Sequence, residues 1–140
     1  MDDLVTWLLA QVAKDEHRIK RMTLAAAGGW RYDRERFRLN ELDSEGQVRW
    51  NLASHADGGE QPIGDVLGEY MENFQPARML AECEAKRRIL EDLGMCLNSR
   101  PADPDDEGWV ESRAEEARDI LRIMALPYAD REGFKESWKI

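Results

Sequence analysis

The chain has 140 residues, 42% hydrophobic and 35% charged, with five tryptophans and a formal net charge of −9. That length allows one domain with a real core, the composition excludes a disordered chain, and the negative balance excludes sequence-independent binding to a phosphate backbone. Two cysteines, Cys83 and Cys96, and an acidic start at Asp2 and Asp3 point to a reducing compartment and no export signal. No apolar run approaches the roughly 18 to 20 residues of a membrane span. The expectation is one soluble, cytoplasmic domain over residues 1–140.

From Asp3 to about Ala27, the apolar residues Leu4, Leu8, Val12, Ile19 and Met22 recur at steps of three, four or seven, which predicts an amphipathic helix. Asp2 and Asp3 suit its start, and Gly28-Gly29 its stop. Between Trp30 and Leu52 the period falls to two. Trp30 and Tyr32, Phe37 and Leu39, then Val48, Trp50 and Leu52 alternate with polar residues around a turn at Asp43-Ser44-Glu45-Gly46. This predicts a β-hairpin or small antiparallel sheet with one wet face.

Residues 54–62 read as a polar connector, and 63–74 as a short helix with Val66, Leu67, Tyr70, Met71 and Phe74 on its apolar face. Pro76 suits the first position of a longer helix that Gly94 is expected to stop, with Cys83, Arg87 and Leu90 on one stripe. After a loop over 98–108, Val110, Ala114, Ala117, Leu121 and Met124 set a last long helix from about Trp109 to Leu126. Tyr128, Phe134 and Trp138 in the tail are expected to fold back onto the helices. The fold class is α+β and mainly helical: three long helices and one short helix packed on a small antiparallel hairpin or sheet.

The acidity is segregated. Residues 41–75 carry eight acids against one base, and residues 101–119 carry eight against two, while the remainder is slightly basic. Two solvated acidic faces are the ordinary account. If the stretches converged they could instead meet a basic protein surface or imitate DNA phosphates.

Catalytic and metal chemistries lack their residues. Cys83 and Cys96 are thirteen positions apart, with neither His17 nor His55 beside them in sequence, so a zinc site is not expected. An EF-hand read from Asp103 finds Ala114 where its closing glutamate belongs. No Gly-x-Ser-x-Gly elbow and no phosphate loop is present. Lys86, Arg87 and Arg88 alternate with Glu82, Glu84, Glu91 and Asp92, which suits surface ion pairs such as Glu82–Lys86 and Glu84–Arg88.

The expected function is a non-enzymatic interaction module that takes a protein partner, with no cofactor, no metal, no direct nucleic-acid binding and no membrane. Its candidate contact residues are Asp103, Asp105, Asp106, Glu107, Glu111, Glu115, Trp109 and Trp7. Trp7 joins Val5 and Leu9 in widening the apolar arc of the first helix, so this helix could cover the sheet or serve a partner or a homodimer. A DNA-mimic inhibitor and a small enzyme with an unrecognised site are the alternatives.

Three segments carry a resemblance. They are Asp2-Asp3-Leu4-Val5, the run Pro76-Ala77-Arg78-Met79-Leu80-Ala81-Glu82-Cys83-Glu84-Ala85-Lys86-Arg87-Arg88-Ile89-Leu90, and Leu121-Arg122-Ile123-Met124-Ala125-Leu126-Pro127-Tyr128-Ala129-Asp130 followed by Trp138. Together with Trp30 after a glycine, they resemble a family of small actinobacterial and actinophage proteins of unknown function. The resemblance implies that origin and no activity. Relatives with a Cys-x-x-Cys and a further Cys before the last helix, and a His before the Pro-Ala-Arg run, have no counterpart here. Asp103 to Arg118 holds no cysteine and Tyr70 to Gln75 no histidine, so a zinc site cannot be carried over.

Overall fold

The computed structural model describes residues 3–23, 28–53 and 65–140; the 54–62 connector, with Ser54 and His55, lies outside them. Its elements are α1 (Asp3–Thr23), β1 (Trp30–Asp33), β2 (Arg38–Leu42), β3 (Val48–Ala53), α2 (Asp65–Asn73), α3 (Pro76–Asn98) and α4 (Glu107–Ala125). The class is α+β and mainly helical, with three long helices, one short helix and a three-stranded antiparallel sheet in the order β1-β2-β3. Two units divide the chain: Met1–Asp15 with Cys83–Ile140, and Glu16–Glu82. No described helix is long and apolar enough to cross a membrane.

The second unit is built on the sheet. Tyr32 pairs with Leu39, and Glu41 pairs with Trp30 on one side and Trp50 on the other. The central strand is buried over Leu39–Leu42, Asn40 and Glu41 included. Glu41 keeps one cation near it, Arg49 at 3.6 Å. The second turn forms as its residues dictate. Asp43 Oδ1 accepts from the backbone N–H groups of Glu45 and Gln47, both at 2.9 Å, and Gly46 takes a φ of 77°. In the first turn, Asp33 Oδ1 accepts from Glu35 and Arg36 N–H at 3.1 Å.

Three expectations change in this unit. Phe37 belongs to the first turn, with a φ of 50°, because the strand ends at Asp33, whose side chain captures the next amides. Val48 and Trp50 do alternate, yet both stay exposed. The short helix rests on the sheet by its small face: Gly68 is buried so close against the Tyr32 ring that a Cβ there would overlap it. That contact turns Val66, Leu67 and Tyr70, three of the five apolar positions of the pattern, to the outside, while Met71 and Phe74 stay half-buried. Gln75 then works as a substitute strand at the free edge of β1. Its Oε1 accepts from Trp30 N–H at 2.8 Å, and its Nε2 donates to Trp30 C=O at 2.6 Å and to Glu72 C=O at 2.7 Å.

The first unit is helical. Its core gathers Leu4, Val5, Leu8, Gln11 and Val12 from α1, Cys83 and Leu90 from α3, and Ala114, Ala117, Leu121 and Ala125 from α4, with Tyr128 beyond. Each fully buried leucine is worth roughly 1.5–3 kcal/mol relative to exposure. Gly94 does not stop its helix. α3 runs on to Asn98 with Gly94 buried against α1, where a Cβ would sit 3.4 Å from Val5 Cγ1, an ordinary contact. Pro127 ends α4 as expected, in a 3-10 turn over Leu126–Tyr128.

Candidate functional site

The acidic stretch ahead of α4 is organised by its own residues. Asp103, extended at φ −129° and ψ 142°, accepts from Asp105 N–H at 3.0 Å and starts a 3-10 turn at Pro104, from which α4 continues at Glu107. Acids in a first turn are favoured by the helix dipole. Glu107, Glu111 and Glu115 continue along α4 at intervals of four. Like charges at that spacing repel by about 0.2–0.5 kcal/mol per pair, so this face lowers helix stability rather than raising it.

Asp103, Asp105, Asp106, Glu107, Glu111 and Glu115 are all exposed, and none makes an ion pair with a described residue. Several acids elsewhere in the chain are paired. Glu84 holds Arg88 at 2.9 Å, Glu82 holds Arg78 at 3.1 Å, and Asp15 holds Arg131 at 2.8 Å. The expected Glu82–Lys86 pair is replaced by Glu82–Arg78, and the Lys86 charge lies near the Tyr128 phenol. Of the two acidic stretches, 101–119 belongs to the first unit and 41–75 to the second.

Between the end of α3 and the start of α4 opens a cleft of about 370 Å³ lined by Asp92, Met95, Cys96, Ser99, Trp109, Val110 and Arg113. Trp109 stands at 62% exposure and Met95 at 64%. The Arg113 guanidinium lies over the indole at 4.9 Å, and its Nη2 donates towards Cys96 Sγ at 3.7 Å. Arginine carries five donors and no acceptor, so it offers that thiol no base. The cleft therefore provides an aromatic plane, a thioether, one cation and one carboxylate, that of Asp92.

The two tryptophans singled out by the sequence part company here. Trp7 is half-buried, packed on Tyr128 at 6.4 Å, Phe134 at 5.8 Å and Trp138 at 5.2 Å, with Nε1 donating to Glu132 C=O at 3.2 Å. The C-terminal tail therefore covers this part of α1. Lys135 adds an ion pair to Asp3 at 3.0 Å and lies over Trp138 at 5.4 Å. Of the other residues that widened the apolar arc of α1, Val5 is buried in the unit's core and Leu9 is half-buried.

Met95, Cys96 and Arg113 were not among the residues expected at a site. Reading Gly94 as a helix stop placed Met95 and Cys96 past the end of α3, and Arg113 stood as one of two bases among eight acids. The signal available was the apolar run Met95, Cys96 and Leu97 beyond the glycine.

Among the described residues, no group of three or more His, Cys, Asp or Glu side chains is placed to hold a metal ion. No curated protein and no solved structure matches the chain. A family model does match, over residues 1–140, and it is described as a family of unknown function, DUF6221. The match covers the whole chain, and the protein belongs to that family.

Proposed function

We propose that the protein is a non-enzymatic interaction module whose contact surface is the Trp109 cleft and its acidic rim, and that it binds another protein. The observation that carries this reading is an open indole at the mouth of a cleft, in a stretch whose six carboxylates have no ion-pair partner among the described residues. A large amphipathic ring at the mouth of a cleft is the side chain type on which protein contacts concentrate their energy. An unmatched negative rim raises encounter rates with a basic surface and fixes its orientation. The actinobacterial or phage origin implied by the family resemblance makes a host protein the natural target.

Affinity capture from a host lysate tests the reading, with Asp105→Lys/Asp106→Lys/Glu107→Lys and Trp109→Ala as paired baits. The wild type should recover specific proteins that both variants lose. Equal recovery by all three baits would remove the cleft and its rim from the contact.

A further inference from the structure

Resting on the protein-binding reading above, we infer that the partner presents a basic amphipathic helix. It seats across the end of α3, with one apolar side chain in each of two clefts that share Met95 and its lysines or arginines against Glu91 and Asp92. The first cleft is the one beside Trp109. The second, about 300 Å³, is lined by Val5, Leu9, Glu91, Gly94, Met95 and Asn98. All these residues belong to the first unit. Met95 borders both hollows and is itself largely exposed, so it forms the ridge between them.

Two hollows astride one thioether suit a helix, whose residues three or four apart project from one face as paired anchors. The unbranched thioether can adapt to whichever apolar side chains arrive. An extended peptide fits less well. The first unit contains no strand among its described residues, so it has no sheet edge to pair with an incoming backbone. A helix brings its backbone hydrogen bonds already made.

Charge selects a basic helix over a neutral or acidic one. Glu91 lines one cleft and Asp92 the other, and neither makes an ion pair among the described residues. The cation of the first cleft, Arg113, is held over the Trp109 ring and towards Cys96. The same terms disfavour a second copy of this chain. A two-fold contact would set these carboxylates against themselves in a protein of net charge −9.

The test is selection from a displayed library of helical peptides, randomised at surface positions, on the full chain and on its Met95→Glu/Trp109→Ala variant, with circular dichroism confirming that the variant is folded. Binders to the wild type should carry two apolar residues three or four apart and an excess of Lys and Arg. Their affinity should drop at least about tenfold on the double variant and weaken several-fold as salt rises from about 0.05 M to about 0.5 M. Binders lost on the double variant but without a basic excess would overturn this inference and leave the protein-binding reading standing. Equal enrichment on both proteins, or none on either, would overturn both. Light scattering completes the set: a dimer that Met95→Glu dissociates would put a second copy in the groove and refute the basic partner.

Discussion

The two tryptophans offered as candidate contacts should differ sharply when each is replaced by alanine. An enclosed tryptophan buries about 150–250 Å². Trp7 is half-buried, so about 100 Å² is at stake, worth about 2.5 kcal/mol at roughly 25 cal/mol per Å². Its ring contacts at 5.2, 5.8 and 6.4 Å add about 1 kcal/mol together. The Nε1 bond to Glu132 C=O adds little, since it lies where water can replace it. Trp7→Ala should therefore cost about 3–4 kcal/mol, with near-UV dichroism lost as Phe134 and Trp138 come loose. Trp109→Ala, at an exposed position, should stay within about 0.5 kcal/mol of wild type. Urea unfolding followed by far-UV dichroism measures both, provided the slope with denaturant is unchanged. A Trp7→Ala cost under about 1 kcal/mol, or one matched by Trp109→Ala, would refute the assignment of one ring to the tail and the other to a partner.

Gly68 and Gly94 should respond to alanine with opposite signs. Gly68→Ala drives a methyl into the Tyr32 ring and should cost about 1–3 kcal/mol, whereas Gly94→Ala meets Val5 at ordinary contact distance and should gain about 0.5–1 kcal/mol of helix propensity; thermal melts that rank them the other way would reject both packing arguments. Gln75→Leu removes the bonds that occupy both polar groups of Trp30 at the sheet edge. Amide exchange at Trp30 should accelerate and stability should drop by about 1–3 kcal/mol; unchanged protection would count against the edge-strand role. Burial raises the Tyr128 phenol above its ordinary value, opposed by the charge of Lys86. The folded chain then keeps a proton that the unfolded chain releases near pH 10, so stability is unaffected below that pH and falls as pH climbs above it. Tyr128→Phe should flatten that alkaline fall in a pH series of melts, and an identical slope in both proteins would contradict it.

Much of this fold is decided within single segments. The 3.6-residue recurrence of Leu4, Leu8 and Val12, and of Ala114, Ala117 and Leu121, marks buried helix faces that the structure keeps. Asp43 and Gly46 build their turn from bonds within five residues, and Pro76 and Pro127 mark helix boundaries for reasons internal to proline. The segregation of charge is likewise a property of the chain alone.

Tertiary contacts decided the rest, because periodicity says which side chains share a face and not what that face meets. Gly94 carries the composition of a helix stop, yet Val5 packs against it and the helix continues, which brings Met95 and Cys96 to the cleft. Val66, Leu67 and Tyr70 form an apolar stripe, yet Gly68 fits closer to Tyr32 and the stripe turns outward. Trp7 and Trp109 are both candidate contacts by sequence. A tail more than a hundred residues away covers the first, and nothing within the first unit's core covers the second. Local chemistry determines the elements; the choice between burying a tryptophan and presenting it belongs to contacts distant in the chain.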